Sequence, residues 1–120
     1  MTKIIFYRSG GSFYGFEEQG HACYNENGDD VLCAAISAMT MLIINTIEVA
    51  YASDVDYDID DDNTRIKVVS KAALAEFEDD ERKRYAVSGL FMAYFYQLND
   101  MVEDYYDYLE VDVVDKEYTE

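Results

Sequence analysis

The sequence predicts one α+β domain spanning residues 1–120: two layers, a largely antiparallel sheet carrying two long helices in the order ββαββαβ. Two pairs of β-branched and aromatic segments are joined by short, turn-rich links, which make each pair antiparallel neighbours. Two long stretches repeat apolar residues at three- and four-residue steps, the period of a helix with one buried face. Half of the 120 residues are hydrophobic, enough for one core and too few residues for a second domain.

Residues 3–8 (KIIFYR) form the first strand, since branched and aromatic side chains suit a pleated surface. Ser9, Gly10, Gly11 and Ser12 make the turn, and residues 13–19 (FYGFEEQ) return. Gly20 ends that strand, and residues 22–29 lack apolar periodicity, so they read as an irregular, mobile loop. Asp30 is placed to cap the first helix, with Val31, Leu32 and Cys33 as its first three residues. Residues 54–60 (DVDYDID) alternate strictly, with Val55, Tyr57 and Ile59 on one face, and predict a half-buried strand. Asp61, Asp62 and Asn63 turn the chain, and residues 64–70 (TRIKVVS) pair back. From about Asp79 a second helix carries Val87, Phe91, Tyr94, Leu98 and Val102 along one stripe. Residues 109–113 (LEVDV) give a last strand, and a charged tail is expected to fray.

With 26 acidic and 9 basic residues the chain carries a formal charge of −17. That charge repels nucleic-acid phosphates and anionic lipid headgroups and favours a basic partner, although it also serves solubility alone. Residues 31–52 are almost uncharged and, at about 1.5 Å per residue, long enough to be weighed as a membrane span. Asn45, Glu48 and acidic flanks disfavour that, so the segment is expected as a buried core helix, with no membrane partner. Two cysteines and no secretory pattern near Met1 predict a reducing, cytoplasmic setting. Two helices leave sheet surface open, and with 12 tyrosines in the chain a homodimer is expected.

Chemistry concentrates in residues 20–37 (GHACYNENGDDVLCAAIS), which hold the only histidine, His21, and both cysteines, Cys23 and Cys33. A histidine at a strand end and a cysteine at a helix start suit a nucleophile and its base. The positive end of the helix favours thiolate, and free amides there can receive an oxyanion. Ser37 follows Cys33 by one turn on the same face. His21, Cys23 and Cys33 with Asp29 or Asp30 also make a zinc-type ligand set, though without the paired spacing of structural zinc centres. The acidic run from Asp54 does not fit a calcium loop, because no frame has glycine sixth and glutamate twelfth.

The stretch resembles the signature of the bacterial ribosomal-processing cysteine proteases called Prp. Gly20, His21, Ala22, Gly28, Asp30, Cys33, Ala34, Ala35 and Ser37 follow its order and spacing. The resemblance implies a cytoplasmic endopeptidase with Cys33 as nucleophile and His21 as general base, without metal or cofactor. Gly20, Ala22, Gly28, Asp30, Ala34 and Ser37 are then supporting or substrate-loop residues. It also implies a substrate: the N-terminal extension of the basic large-subunit ribosomal protein numbered twenty-seven. Paired aromatic residues before the cleaved bond call for an apolar receptor, which Phe13, Phe16 or tyrosines could line. Cys23 departs from the family's usual small residue, and either pairs with Cys33 under oxidation or is a passive loop residue. Asp30 either caps the helix or orients the histidine, because its charge beside a thiolate raises the cysteine pKa, and the neighbouring Asp29 is the alternative cap. A non-catalytic acidic adaptor for ribosome assembly and a His/Cys metal module are the competing readings.

Overall fold

The computed structural model describes residues 1–20 and 29–119, with residues 29 and 30 described by their backbone alone. Five strands and two long helices follow in the expected order: β1 Thr2–Ser9, β2 Ser12–Gln19, α1 Asp29–Asn45, β3 Asp56–Asp60, β4 Arg65–Val69, α2 Glu81–Tyr105 and β5 Leu109–Asp115. Two short pieces were not anticipated. A π-helical turn, Thr46–Ala50, prolongs α1, and a 3-10 turn, Lys71–Ala73, leads from β4 toward α2.

The sheet order is β3-β4-β2-β1-β5. Three of its pairings are antiparallel, and β5 runs parallel to β1, with Thr2 opposite Leu109 and Phe6 opposite Val113. The physical reason is the link: α2 carries the chain from β4 across the sheet, and a helical crossover returns a strand in the same direction, which a two-residue hairpin cannot do. Gly10 and Gly11, at φ of +56° and +85°, make the tight β1–β2 turn that glycine alone adopts freely.

Both helices pack on one sheet face. Ile4, Phe6, Phe16 and Val68 project from the strands to meet Leu32, Ile36, Ile43 and Ile47 along α1 and its π-helical extension, and Val87, Phe91 and Leu98 of α2. Phe6 is the centre of this layer, with its ring 5.3 to 6.2 Å from those of Phe13, Phe16, Tyr94 and Phe95. Aromatic pairs at such separations add to simple area burial by about 1 kcal/mol each. The Tyr94 hydroxyl lies 3.2 Å from that of Thr40 and 3.5 Å from the Ile36 carbonyl, tying α2 to α1 through a polar contact inside the core.

Four local expectations are corrected. Helix α1 is not buried all round, since Val31, Met41, Leu42 and Val49 are exposed along its outer side. Residues Val31–Ala50 are long and apolar enough to cross a membrane by length and composition, yet the inner stripe from Leu32 to Ile47 is packed on the sheet. The strand expected from residue 54 begins at Asp56, and Tyr57 and Ile59 remain 48% and 47% exposed. As the sheet's edge, β3 lies beyond the cover that two helices supply. Helix α2 starts at Glu81 rather than near Asp79, because Asp80 caps it: its carboxylate accepts the Arg82 backbone N–H at 2.9 Å.

The tail does not fray. The Lys116 amide donates to the Arg8 carbonyl at 2.9 Å, and Tyr14 Oη donates to the Lys116 carbonyl at 2.8 Å. Tyr118 then sets its ring against Tyr14 and Phe77, at 5.7 and 5.2 Å. Contacts with the buried Tyr14 ring and with Phe77 supply the anchorage that a count of charges hides.

Candidate active site

Strand β2 delivers the chain to the site at Gly20, whose amide donates to the Thr64 carbonyl at 3.0 Å. Gly20 has φ of +81°, and a Cβ there would run into the Met1 carbonyl oxygen. Both facts demand glycine immediately before the only histidine. His21, Ala22, Cys23 and Gly28 lie outside the described residues, so the expected mobile loop falls there too.

Helix α1 begins at Asp29, one residue before the expected cap, so Asp30 is its second residue rather than the cap. Cys33 is therefore the fifth helical residue and not the third. Its amide falls within the hydrogen-bonded ladder, and the orphan donors of the helix start belong to the preceding turn. Any pull of the helix terminus on a thiolate acts from one turn away. The cysteine is half-buried on the flank of the inner stripe, next to the sealed Leu32, while Ala34 and Ser37 are exposed.

The Cys33 sulfur is disulfide-bonded, where a free thiol was expected. Among the described residues no cysteine is free, and the sequence holds only one other, Cys23. A sulfur in that state is neither nucleophile nor metal ligand; reduction is required before either chemistry.

Phe13 and Phe16, considered for an aromatic receptor, are 5% and 0% exposed and packed against α2. They are core, and neither lines a surface for substrate.

The sequence reading missed Glu18. Its side chain points into the helix-covered layer, flanked across the sheet by Ile4 and Ile66, and is 9% exposed with Oε2 unpartnered. Burial pushes its carboxyl up to about 7. A negative Glu18 helps raise the Tyr94 hydroxyl, which burial already holds far above the ordinary tyrosine value. Tyr94 in turn reaches the Ile36 carbonyl, three residues beyond Cys33. The signal was present: on a strand, Glu18 shares its face with Phe16, and a strict period of two puts both inside.

On the other sheet face Tyr7 Oη donates to Glu17 at 2.7 Å, and Glu17 also faces Arg65. Those bonds hold the Glu17 carboxyl below its ordinary value despite partial burial.

Comparison with known proteins gives a consistent result. Residues 1–110 match the family model described as Cysteine protease Prp. The fold is shared with SMU.848 from Streptococcus mutans, at 22% identity over 97% of this chain and 99% of that one, with a TM-score of 0.78. It is shared also with an essential ribosomal processing protease Prp from S. aureus, solved with a covalently linked product peptide, at 20% identity over 95% of this chain and 100% of that one, TM-score 0.74. The same S. aureus protease with a substrate peptide gives 17% identity over 95% and 100%, TM-score 0.76. At such identities the structural likeness is one of fold. Among curated proteins none matches.

Proposed function

The chain belongs to the cysteine protease Prp family, and from that premise we propose that it cleaves its substrate with Cys33 as nucleophile and His21 as general base. The observation that carries the assignment is the family match over residues 1–110, which spans the only histidine and both cysteines. The half-buried position of Cys33 near the start of α1 supports it, because a peptide bond can reach that flank.

In the proposed cycle the His21 imidazole takes the Cys33 thiol proton, and the thiolate attacks the peptide carbonyl carbon. The carbon–nitrogen bond then breaks as the imidazolium returns a proton to the leaving amine. Water, giving its proton to His21, attacks the thioester, releasing a carboxylate and regenerating the thiol. Donors for the oxyanion are the amides of the first turn of α1, ahead of Cys33.

The proposed substrate is the N-terminal extension of the basic large-subunit ribosomal protein numbered twenty-seven. The S. aureus relative is a ribosomal processing protease, and a charge of −17 complements a basic substrate. The same reading puts the enzyme in the cytoplasm as a homodimer. Two such acidic copies meet with least repulsion at the outer side of α1, where Val31, Met41, Leu42 and Val49 are exposed and uncharged.

The test is incubation of reduced protein with a peptide spanning that extension. Wild type cuts it, Cys33→Ala binds without cutting, and His21→Ala is impaired by orders of magnitude. Cutting that survives Cys33→Ala ends the assignment, and binding without cutting by reduced wild type leaves an acidic adaptor.

A further inference from the structure

The sheet ends at β3, whose residues Asp56–Asp60 pair with β4 on one side and, among the described residues, with no strand on the other. A strand in that position presents a row of unpaired backbone N–H and C=O groups, which is a template for another extended chain. Its side chains divide by face. Asp56, Asp58 and Asp60 share one side, and the half-exposed Tyr57 and Ile59 share the other, level with Val68 and Ile66 of β4. Acidic and apolar positions thus alternate along an open edge, and a neighbouring strand with the same period of two meets both sets.

Resting on the protease reading above, we propose that β3 is a docking strand for the substrate: an extended segment of the basic protein, just after the cleaved bond, adds to this edge with Lys or Arg at every second residue. Its main chain takes up the open N–H and C=O groups, its cations lie beside the aspartates, and the residues between them lie beside Tyr57 and Ile59. Part of the acidic charge is already answered within the sheet. Arg65 reaches Asp58 at 3.3 Å, Asn63 bonds to Asp60, and Lys67 stands opposite Asp58. Arg65 nevertheless takes one of the two Asp58 oxygens, and that side chain is 67% exposed, which leaves acceptor sites on the outer side. Over residues 54–71, six aspartates stand against three cations. A second copy of the chain suits the edge poorly, because two β3 strands continuing one sheet set aspartate against aspartate.

The edge also begins at the right end of the sheet. Gln19, Arg65 and Asp60 lie in line across β2, β4 and β3, and the Gly20 amide donates to the Thr64 carbonyl. So β3 finishes level with the residue that precedes His21. With strands about 4.8 Å apart, Asp60 is about 10 Å from Gln19, and the path from Asp60 to Asp56 covers about 17 Å. A recess of about 410 Å³, lined by Gln19, Asp60, Asn63 and Arg65, sits at this crossing. A chain passing Gly20 therefore reaches Asp60 in about three or four extended residues.

Two peptides of one composition test it on the reduced full chain: one alternates lysine with valine, the other gathers its lysines at one end. The alternating peptide should bind at least tenfold tighter and slow amide hydrogen exchange along residues 56–60. Placed after the cleaved bond instead of a glutamine–valine tail, it should lower KM at least tenfold with kcat within about twofold. Asp56→Asn combined with Asp58→Asn, with the circular dichroism spectrum unchanged, should cut that advantage to less than threefold. Equal binding of the two peptides, binding without protection of residues 56–60, or a full tail advantage in the folded double variant would each overturn the proposal. Protection of those residues that grows with protein concentration and needs no peptide would give the edge to a second copy and overturn it as well. If no tailed peptide is cut while the alternating one still protects β3, the protease reading fails and the docking strand is supported.

Discussion

The hydroxyls of Thr40 on α1 and Tyr94 on α2 meet 3.2 Å apart in the core, and both residues are almost fully buried. Tyr94→Phe removes one partner and leaves the Thr40 hydroxyl to bond elsewhere or remain unpaired. The expected loss is about 1–2 kcal/mol of folding stability. Urea unfolding of the two proteins measures it, and an unchanged midpoint would show the contact to be energetically silent.

Glu18 makes stability fall as pH rises. Its carboxyl titrates at about 7 in the folded protein against an ordinary 4.5. Below 4.5 the group is neutral in folded and unfolded chains alike, so it costs nothing. Between 4.5 and 7 the unfolded chain ionises first, and above 7 the full penalty is present, about 3 kcal/mol at 1.36 per pH unit. Glu18→Gln should therefore gain on wild type between pH 4.5 and pH 8; a stability gap that stays constant over that range contradicts the buried-acid account.

Gly20→Ala forces a Cβ onto a residue at φ +81° and against the Met1 carbonyl oxygen. Strain of this kind costs on the order of 1–3 kcal/mol. Because His21 is the next residue, peptide cleavage should drop by more than the loss of folded protein explains. Thermal melting alongside specific activity separates the two effects, and full activity per folded molecule would uncouple Gly20 from the site.

Cleavage should require reductant, since the Cys33 sulfur is tied in a disulfide. Dithiothreitol is expected to switch activity on from near zero. With Cys23→Ser, which removes the only other cysteine of the chain, activity should no longer depend on it. Equal rates for wild type with and without reductant would mean that the disulfide does not form in solution.

Leu42→Glu on the exposed side of α1 places like charges at the proposed contact between two copies. A dimer at micromolar concentration in sedimentation experiments should become a monomer. Wild type that sediments as a monomer removes the proposal.

Much of this molecule was legible in its sequence, because the signals were local. Gly10 and Gly11 specified a hairpin, the alternation in residues 54–60 a strand that forms over 56–60, and the apolar spacing from Val87 to Leu98 a helix with one buried stripe. Residues 20–37 resembled a protease signature closely enough to point to the family that the match over residues 1–110 shows. The rest depended on neighbours far along the chain. That β5 joins β1 in parallel, that Glu18 loses its water under the helices, that Tyr118 anchors the tail, and that Lys67 and Lys116 stand over the Tyr7 ring are consequences of packing. Local periodicity tells which side of an element is apolar, but what each side meets, and how far burial moves a proton, is settled only when distant segments pack together.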